Sequence, residues 1–371
     1  MKYIKLKKIA TYPTGKLNSN AAEEDGIYPF FTCSHDIYRI NNYAYDGEYV
    51  LLGGNNATGD FPIFYYNGKF NAYQRTYLIQ PIDTNQFDTR YLFYSIGLKL
   101  KLMQSNAAGT ATRFLTQPIL DNINIEYRPL PTQQKIASIL SAYDNLIQNY
   151  KKQIKALQTA ASELYKEWFV RFRFPGYQTA RFENGIPEGW KVVLASELGE
   201  FVRGKNITAE EMQEGTIPVI SAGIEPSGFH NQSNVNGVSL TISNSGANAG
   251  YLQINYSDIW AADCSYCNSS KNIYFYYELL NNMRVVLFNL QKGAAQPHVY
   301  AKDINKMKIL LPPAELIETA DKKIKLMHEK IYSLQQQITN LTQQRDLLLP
   351  RLMSGKLELK IIKEKEVNKC M

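Results

Sequence analysis

Few residues in this chain have the type and spacing that bond-making chemistry needs. Gly199-Glu-Phe-Val-Arg-Gly204-Lys205-Asn206 has the G-x-x-x-x-G-K frame of a phosphate-cradling loop. In such a loop the next residue supplies a Ser or Thr hydroxyl to Mg2+, and here that residue is Asn206. A strand followed by a tight turn is the expectation instead. Cys264-Ser-Tyr-Cys267 has C-x-x-C spacing, but a structural zinc takes four ligands, and Cys33 and Cys370 stand far away in sequence. These thiols are expected to be buried or to lie in a surface loop. His35, His230, His298 and His328 are scattered, with His328 at a solvent-facing position of a helical stripe. There is no G-x-S-x-G, no H-E-x-x-H, and no N/D-P-P-aromatic tetrapeptide of an amino-methyltransferase. No catalytic residue, no metal site and no cofactor of its own are therefore expected.

Composition narrows the class further. The chain has 371 residues, 44% hydrophobic and 20% charged, enough to bury sizeable cores. Its net charge of +7 favours a polyanionic partner without requiring one. No apolar run approaches the ~18 residues of a membrane helix, and no apolar stretch follows the N-terminal lysines as a signal peptide would need. Four cysteines make no disulfide framework, which suits a reducing cytoplasm. Tyrosine is plentiful: 26 in all, 14 of them before residue 131.

The elements that position these residues come in two copies. At a shift of 189, Gly15-Lys16 falls on Gly204-Lys205, Pro29 on Pro218 and Ala72 on Ala261. From Gly109 the shift is 184, bringing Gly109 onto Gly293, Ile125 onto Ile309 and Pro129 onto Pro313. A heptad stripe follows in each copy, the first through Leu140, Tyr143, Ile147, Tyr150, Ile154, Leu157, Leu164 and Trp168. Its counterpart runs through Ile324, Met327, Ile331, Leu334, Ile338, Leu341, Leu348 and Leu352, with Arg345 where the first copy has Ala161. This spacing predicts coiled-coil helices of about 40 residues, ~60 Å long, pairing antiparallel. Thr132 is the expected N-cap of the first, and Phe174-Pro175-Gly176 its stop. Residues 1–128 and 191–311 read as strands and turns, with helical segments at 91–103 and 276–290.

The expected fold class is thus α+β: two similar globular domains separated by two long antiparallel coiled-coil helices, a pseudo-twofold internal repeat. The boundaries are 1–130 for the first domain, 131–174 for the first helix, 175–312 for a linker and second domain, 313–357 for the second helix, and 358–371 for a polar tail. Two similar but non-identical domains on a helical spacer suit an asymmetric, bipartite double-stranded DNA site. Base edges are read by Arg, Asn, Gln, Ser and Thr. The first-copy candidates are Asn55, Asn56, Gln74, Arg75, Thr110, Thr112 and Arg113. In the second copy they are Ser245 and Asn248 in the matching loop, with Gln296 and His298 at the positions of Thr112 and Phe114. The architecture also admits a coiled-coil scaffold without nucleic acid, or a stand-alone DNA-modifying enzyme.

Several stretches resemble one family. Gly185-Ile-Pro-Glu-Gly-Trp-Lys-Val-Val193, Leu198-Gly-Glu200 and Arg203-Gly-Lys205 look like the start of a target-recognition domain in the specificity (S) subunit of Type I restriction-modification enzymes. Gly293-Ala-Ala-Gln-Pro-His-Val299, Pro129-Leu-Pro-Thr-Gln-Gln-Lys-Ile136 and Leu347-Leu-Leu-Pro-Arg-Leu-Met-Ser-Gly-Lys-Leu357 are similar to later parts of the same subunit. The resemblance implies a non-catalytic, DNA-reading cytoplasmic subunit. It also implies two methyltransferase (M) subunits using S-adenosylmethionine, and restriction (R) subunits using ATP and Mg2+. The first copy lacks the Pro-x-Gly-Trp lead-in and begins near Tyr3-Ile4, a departure from the family pattern.

Overall fold

The computed structural model describes residues 2–56, 59–106, 114–293 and 296–357. Two compact units divide the chain, one of residues 1–148 with 339–371, the other of residues 149–338. The first unit contains β1 (Tyr3–Lys5), β2 (Ala10–Thr11), β3 (Tyr28–Phe31), β4 (Tyr38–Ile40), β5 (Tyr45–Gly53), β6 (Ile63–Ala72) and β7 (Thr76–Pro81). After these come α1 (Thr89–Asn106), α2 (Gln117–Asp121), β8 (Asn124–Glu126) and the long α3 (Leu130–Phe169), whose later residues belong to the second unit. The second continues with β9 (Phe182–Glu183), β10 (Ile186–Pro187), β11 (Lys191–Leu194), β12 (Val202–Arg203), β13 (Ile217–Ile220) and β14 (Gly228–His230). Then come β15 (Ser239–Ser243), β16 (Leu252–Asn255), β17 (Trp260–Ala261), β18 (Cys264–Cys267), α4 (Ile273–Asn282), α5 (Arg284–Phe288), α6 (Ala301–Asn305) and β19 (Lys308–Leu311). The last helix, α7 (Ala314–Ser354), ends among residues of the first unit.

The duplication is visible in strand register. In the first unit β1 pairs antiparallel with β8, Tyr3 opposite Glu126; in the second β11 pairs with β19, Val192 opposite Leu310. Each pair joins the two sequence shifts, 189 on one strand and 184 on the other. A parallel contact recurs too, Phe30 to Asn71 in one unit and Val219 to Trp260 in the other. The first unit forms one six-stranded sheet, β2-β7-β5-β6-β3-β4. In the second, the stretch equivalent to β6 is interrupted between β16 and β17, and the sheet divides into β12-β18-β15-β16 and β14-β13-β17. At the interruption Asp258 accepts the Gly237 N–H, a turn contact that a continuous strand could not make.

One sheet face gathers three of the early tyrosines, Tyr45, Tyr49 and Tyr66. Tyr45, Tyr49, Phe64 and Tyr66 pack around buried Phe31, Leu51 and Phe70, with ring centroids 5.2–6.3 Å apart. Register places Ser239, Thr241, Gln253 and Asn255 of the second unit where the first has Tyr49, Leu51, Phe64 and Tyr66. Polar side chains thus stand at four positions that are aromatic or aliphatic in the first copy, beside a smaller apolar cluster of Ile220, Val235, Ile259 and Ala261.

Within each unit the helices pair antiparallel. In the first, Ile136 and Leu140 of α3 share a core with Leu352 and Met353 of α7. In the second, Ala161, Tyr165 and Trp168 share one with Ile317, Ala320 and Ile324. Every position of the two heptad stripes is buried or half-buried. The helix limits differ from expectation. α3 starts at Leu130, so Thr132 lies in the first turn, where Pro131 is tolerated because its missing N–H would be unpaired anyway. It ends at Phe169, five residues early, with Phe172 in a left-handed turn. Pro350 stays inside α7, which continues to Ser354. The helical segment expected at 276–290 is broken at Met283 into α4 and α5.

His328 is not solvent-facing. It is 2% exposed, because α7 buries a second flank against α4 as well as the seam against α3. Its Nε2 lies 3.3 Å from Glu278 and its Nδ1 2.8 Å from the Tyr256 hydroxyl. The cysteines of β18 are both buried, but three residues apart on a strand they face opposite sides. Cys264 joins a small core with Ile220 and Val235, and Cys267 the main core with Phe201 and Leu240. They cannot converge on a metal. Burial pushes the Cys264 thiol up to about 12 and raises Cys267 as well. Iodoacetamide at pH 8 should therefore leave both unmodified in the folded chain and label both after denaturation; peptide mapping that found Cys264 labelled in the native protein would contradict this burial.

Candidate nucleic-acid interface

Gly-Lys opens each copy of the site as a packing device. A Cβ on Gly204 would lie 2.5 Å from the Ala262 carbonyl oxygen and 2.6 Å from that of Ala261. Gly15 meets the carbonyls of Ala72 and Tyr73 in the same way, at 2.3 and 2.4 Å. Only glycine lets the chain cross so close to another backbone. The atoms facing it are carbonyl oxygens, the wrong polarity for a phosphate.

In the first unit this crossing supports a rim of polar groups. The Gly54 N–H donates to the Arg75 carbonyl at 2.8 Å, and the Leu115 N–H to the Gly54 carbonyl at 2.9 Å. Asn55 bridges Phe114 on the same rim. Gln74, Arg75, Phe114 and Gln117 then line an open groove of about 450 Å3, with Thr14 and Gly54 on its wall. Gln74 and Arg75 are exposed, and Phe114 presents 52% of its surface. Among the described residues no carboxylate lies within ion-pair distance of Arg75. Beneath the rim sits Cys33, whose thiol is pushed up by burial against the opposing pull of the Asn55 and Gly54 N–H groups and Arg75. Asn56 follows on the rim, its carbonyl accepting the Gly59 N–H at 3.2 Å. Thr110, Thr112 and Arg113 lie outside the described residues.

The second unit repeats this frame with other side chains. Ser245 bridges His298 as Asn55 bridges Phe114, and the Val299 N–H reaches the Asn244 carbonyl at 2.9 Å. The Ser245 hydroxyl donates to Asp263. His298 stacks on Tyr300, centroids 6.1 Å apart, and the Lys302 ammonium lies 5.7 Å from the Tyr300 ring. Gln296 is exposed beside them, while Asn248 closes a short turn through its carbonyl, which accepts the Tyr251 N–H. Asn55, Gln74 and Arg75 are thus gathered in one copy, and Ser245, Gln296 and His298 in the other. Asp263, Arg203 and Tyr300 share this edge and were missed by sequence reasoning. Arg203 is exposed and sits where the first copy has Thr14.

A second constellation, half-buried in the first unit and buried in the second, ties each unit to its long helices. In the first, Tyr94 donates to Asp144 at 2.5 Å, and Arg345 reaches the same carboxylate at 2.6 Å. The 184 shift carries Tyr94 onto Glu278, Asp144 onto His328 and Ala161 onto Arg345. Arg345 therefore answers a carboxylate inside the first unit.

Comparisons with known proteins follow the same division. The family described as Type I restriction modification DNA specificity domain matches residues 1–159 and again residues 187–347. The EcoDI specificity subunit of Escherichia coli is 31% identical over 223 residues, 54% of this chain and 49% of that protein. This chain therefore spans about half the length of that relative. The MjaIX specificity subunit of Methanocaldococcus jannaschii is 27% identical over 304 residues, covering 73% of this chain and 69% of that one. The crystal structure of a Type I S subunit from M. genitalium shares the fold, with a TM-score of 0.65 at 18% identity over 95% of each chain. Among the described residues no helix is long and apolar enough to cross a membrane, and no three metal-ligating side chains cluster. With the domain matched once in each copy of the repeat, the chain belongs to the family of Type I restriction-modification DNA specificity domains.

Proposed function

We propose that this chain is the non-catalytic DNA-sequence specificity subunit of a Type I restriction-modification complex. Each unit reads one half of an asymmetric, bipartite duplex site, and the paired helices set the spacer between the halves. The observation that carries this reading is the same backbone frame built twice with different side chains at its rim, Asn55 and Phe114 against Ser245 and His298. A duplicated frame with divergent groups is what recognition of two unlike half-sites requires. Residues 191–313 carry 9 basic against 10 acidic side chains, which leaves phosphate attraction there modest, so part of the affinity comes from partners. These are two methyltransferase subunits with S-adenosylmethionine, and restriction subunits with ATP and Mg2+. The DNA-contacting residues are those of the two rims, together with Thr110, Thr112 and Arg113.

The test is reconstitution of the chain with its methyltransferase partner, followed by single-molecule sequencing of methylated DNA. Adenine methylation should appear at one bipartite motif, only when this chain is present, and never from this chain alone. Methylation or cleavage by the chain on its own would instead favour a stand-alone enzyme. Removing one heptad from each long helix shortens each by ~10 Å, and the motif's spacer should contract by about three base pairs.

A further inference from the structure

Arg75 and Asp263 occupy one backbone position in the two copies. The Arg75 carbonyl accepts from Gly54, and the Asp263 carbonyl from Asn244 at 3.3 Å. The following residues, Thr76 and Cys264, face Gly53 and Ser243 across equivalent strand pairs. Their carbonyls take the N–H groups of Gly15 and Gly204, at 3.0 and 2.8 Å. A cation in one copy thus stands where the other has an anion. The surroundings differ to match. Arg75 opens into the groove with Gln74, Phe114 and Gln117, whereas one Asp263 oxygen, Oδ2, is held by the Ser245 hydroxyl.

The two side chains can satisfy only opposite base edges. A guanidinium fork offers donors alone and matches the O6 and N7 acceptors of guanine; a carboxylate offers acceptors alone and matches the N4 amino group of cytosine. A carboxylate also repels phosphate, so its presence on a DNA-facing rim is hard to reconcile with backbone binding. The Ser245 hydroxyl holds Oδ2 of Asp263, and the carboxylate's other lone pairs are the acceptors a base amino group would meet. Accordingly, and resting on the reading that each unit takes one half-site, we propose that this position discriminates the half-sites by opposite polarity. Arg75 selects a guanine in the half-site of the first unit, and Asp263 selects a cytosine in that of the second. Ser245 is the positioning residue for Asp263.

The experiment uses the full chain with its methyltransferase partner and a duplex library carrying the wild-type motif with each base varied in turn. Arg75→Gln should lose roughly ten- to hundredfold of the discrimination for guanine at one position, with the other half-site read as before. Asp263→Asn keeps an oxygen for Ser245 and should lose cytosine preference at one position of the other half-site. Wild-type base preferences in either variant, or relaxation of the same half-site by both, would overturn the assignment while leaving the specificity-subunit reading intact. A wild-type complex that methylates no defined motif would sink that reading, and the assignment with it.

Discussion

His328→Asp is expected to destabilise the second unit by about 3–5 kcal/mol, the usual consequence of leaving a buried charge uncompensated. His328 and Glu278 are each 2% exposed. Nε2 lies on a Glu278 oxygen and Nδ1 on the Tyr256 hydroxyl, so both ring nitrogens are used. Asn281 donates to the other Glu278 oxygen at 3.2 Å. An aspartate at 328 would turn an acceptor toward an acceptor, both almost fully buried. The first unit shows which companions make an aspartate acceptable there: a tyrosine donor and an arginine, Tyr94 and Arg345. In the second unit those two positions hold Glu278 and buried Ala161, leaving the Tyr256 hydroxyl to donate to the new carboxylate while Glu278 opposes it. Adding Glu278→Tyr to His328→Asp should therefore recover a large part of the loss, since a phenol can donate to the new carboxylate. The readout is favourable: Trp168, Trp190 and Trp260, the three tryptophans of the chain, all belong to the second unit. Urea unfolding followed by tryptophan fluorescence would report that unit directly. A single variant within about 1 kcal/mol of wild type, small beside the expected loss, or a double variant no better than the single, would refute the exchange of roles.

Much of the layout was legible because repetition survives divergence when spacing is conserved. Glycine crossings at Gly15 and Gly204 anchor the first shift, since no other residue fits between those carbonyls. The helix stripes anchor the second, because a seam tolerates any apolar residue of suitable size but not a change of register. His328 escaped because a heptad describes one interface and α7 has two, with the second flank read by tertiary packing alone. Asp263 escaped for a different reason. Gln74 has no counterpart in the second copy, so the shift slips from 189 to 188 just before Arg75, and only the hydrogen bonds to Gly54 and Asn244 restore the pairing. The divided sheet of the second unit was equally hidden, since its cause is a short turn around Asp258 rather than a change in hydrophobic pattern.

Gly204→Ala should cost about 1–3 kcal/mol or more, whereas Lys205→Ala should stay within about 0.5 kcal/mol of wild type. The added methyl would sit 2.5 Å from a main-chain oxygen, and neither neighbour is a side chain that can swing aside. Relief requires moving the crossing strand, yet that strand is held on both sides. The Gly204 N–H donates to Cys264 at 2.8 Å, the Lys205 N–H to Ala261 at 2.9 Å, and the Trp260 indole N–H to the Lys205 carbonyl at 2.8 Å. Separating the backbones by the roughly half an ångström or more needed strains all three bonds at once. Lys205 by contrast is exposed, its ammonium 6.0 Å from the Trp260 ring, so truncation removes a weak contact. The ordering discriminates between two roles for the Gly-Lys pair. In a phosphate-binding loop the lysine is the residue whose loss abolishes binding and the glycine variant fails for the same ligand. In a strand crossing the glycine carries the stability and the lysine very little. Urea unfolding of the two variants, again by tryptophan fluorescence, would show Gly204→Ala well below Lys205→Ala; the reverse order, or ATP-dependent stabilisation lost in Lys205→Ala, would return the motif to nucleotide binding.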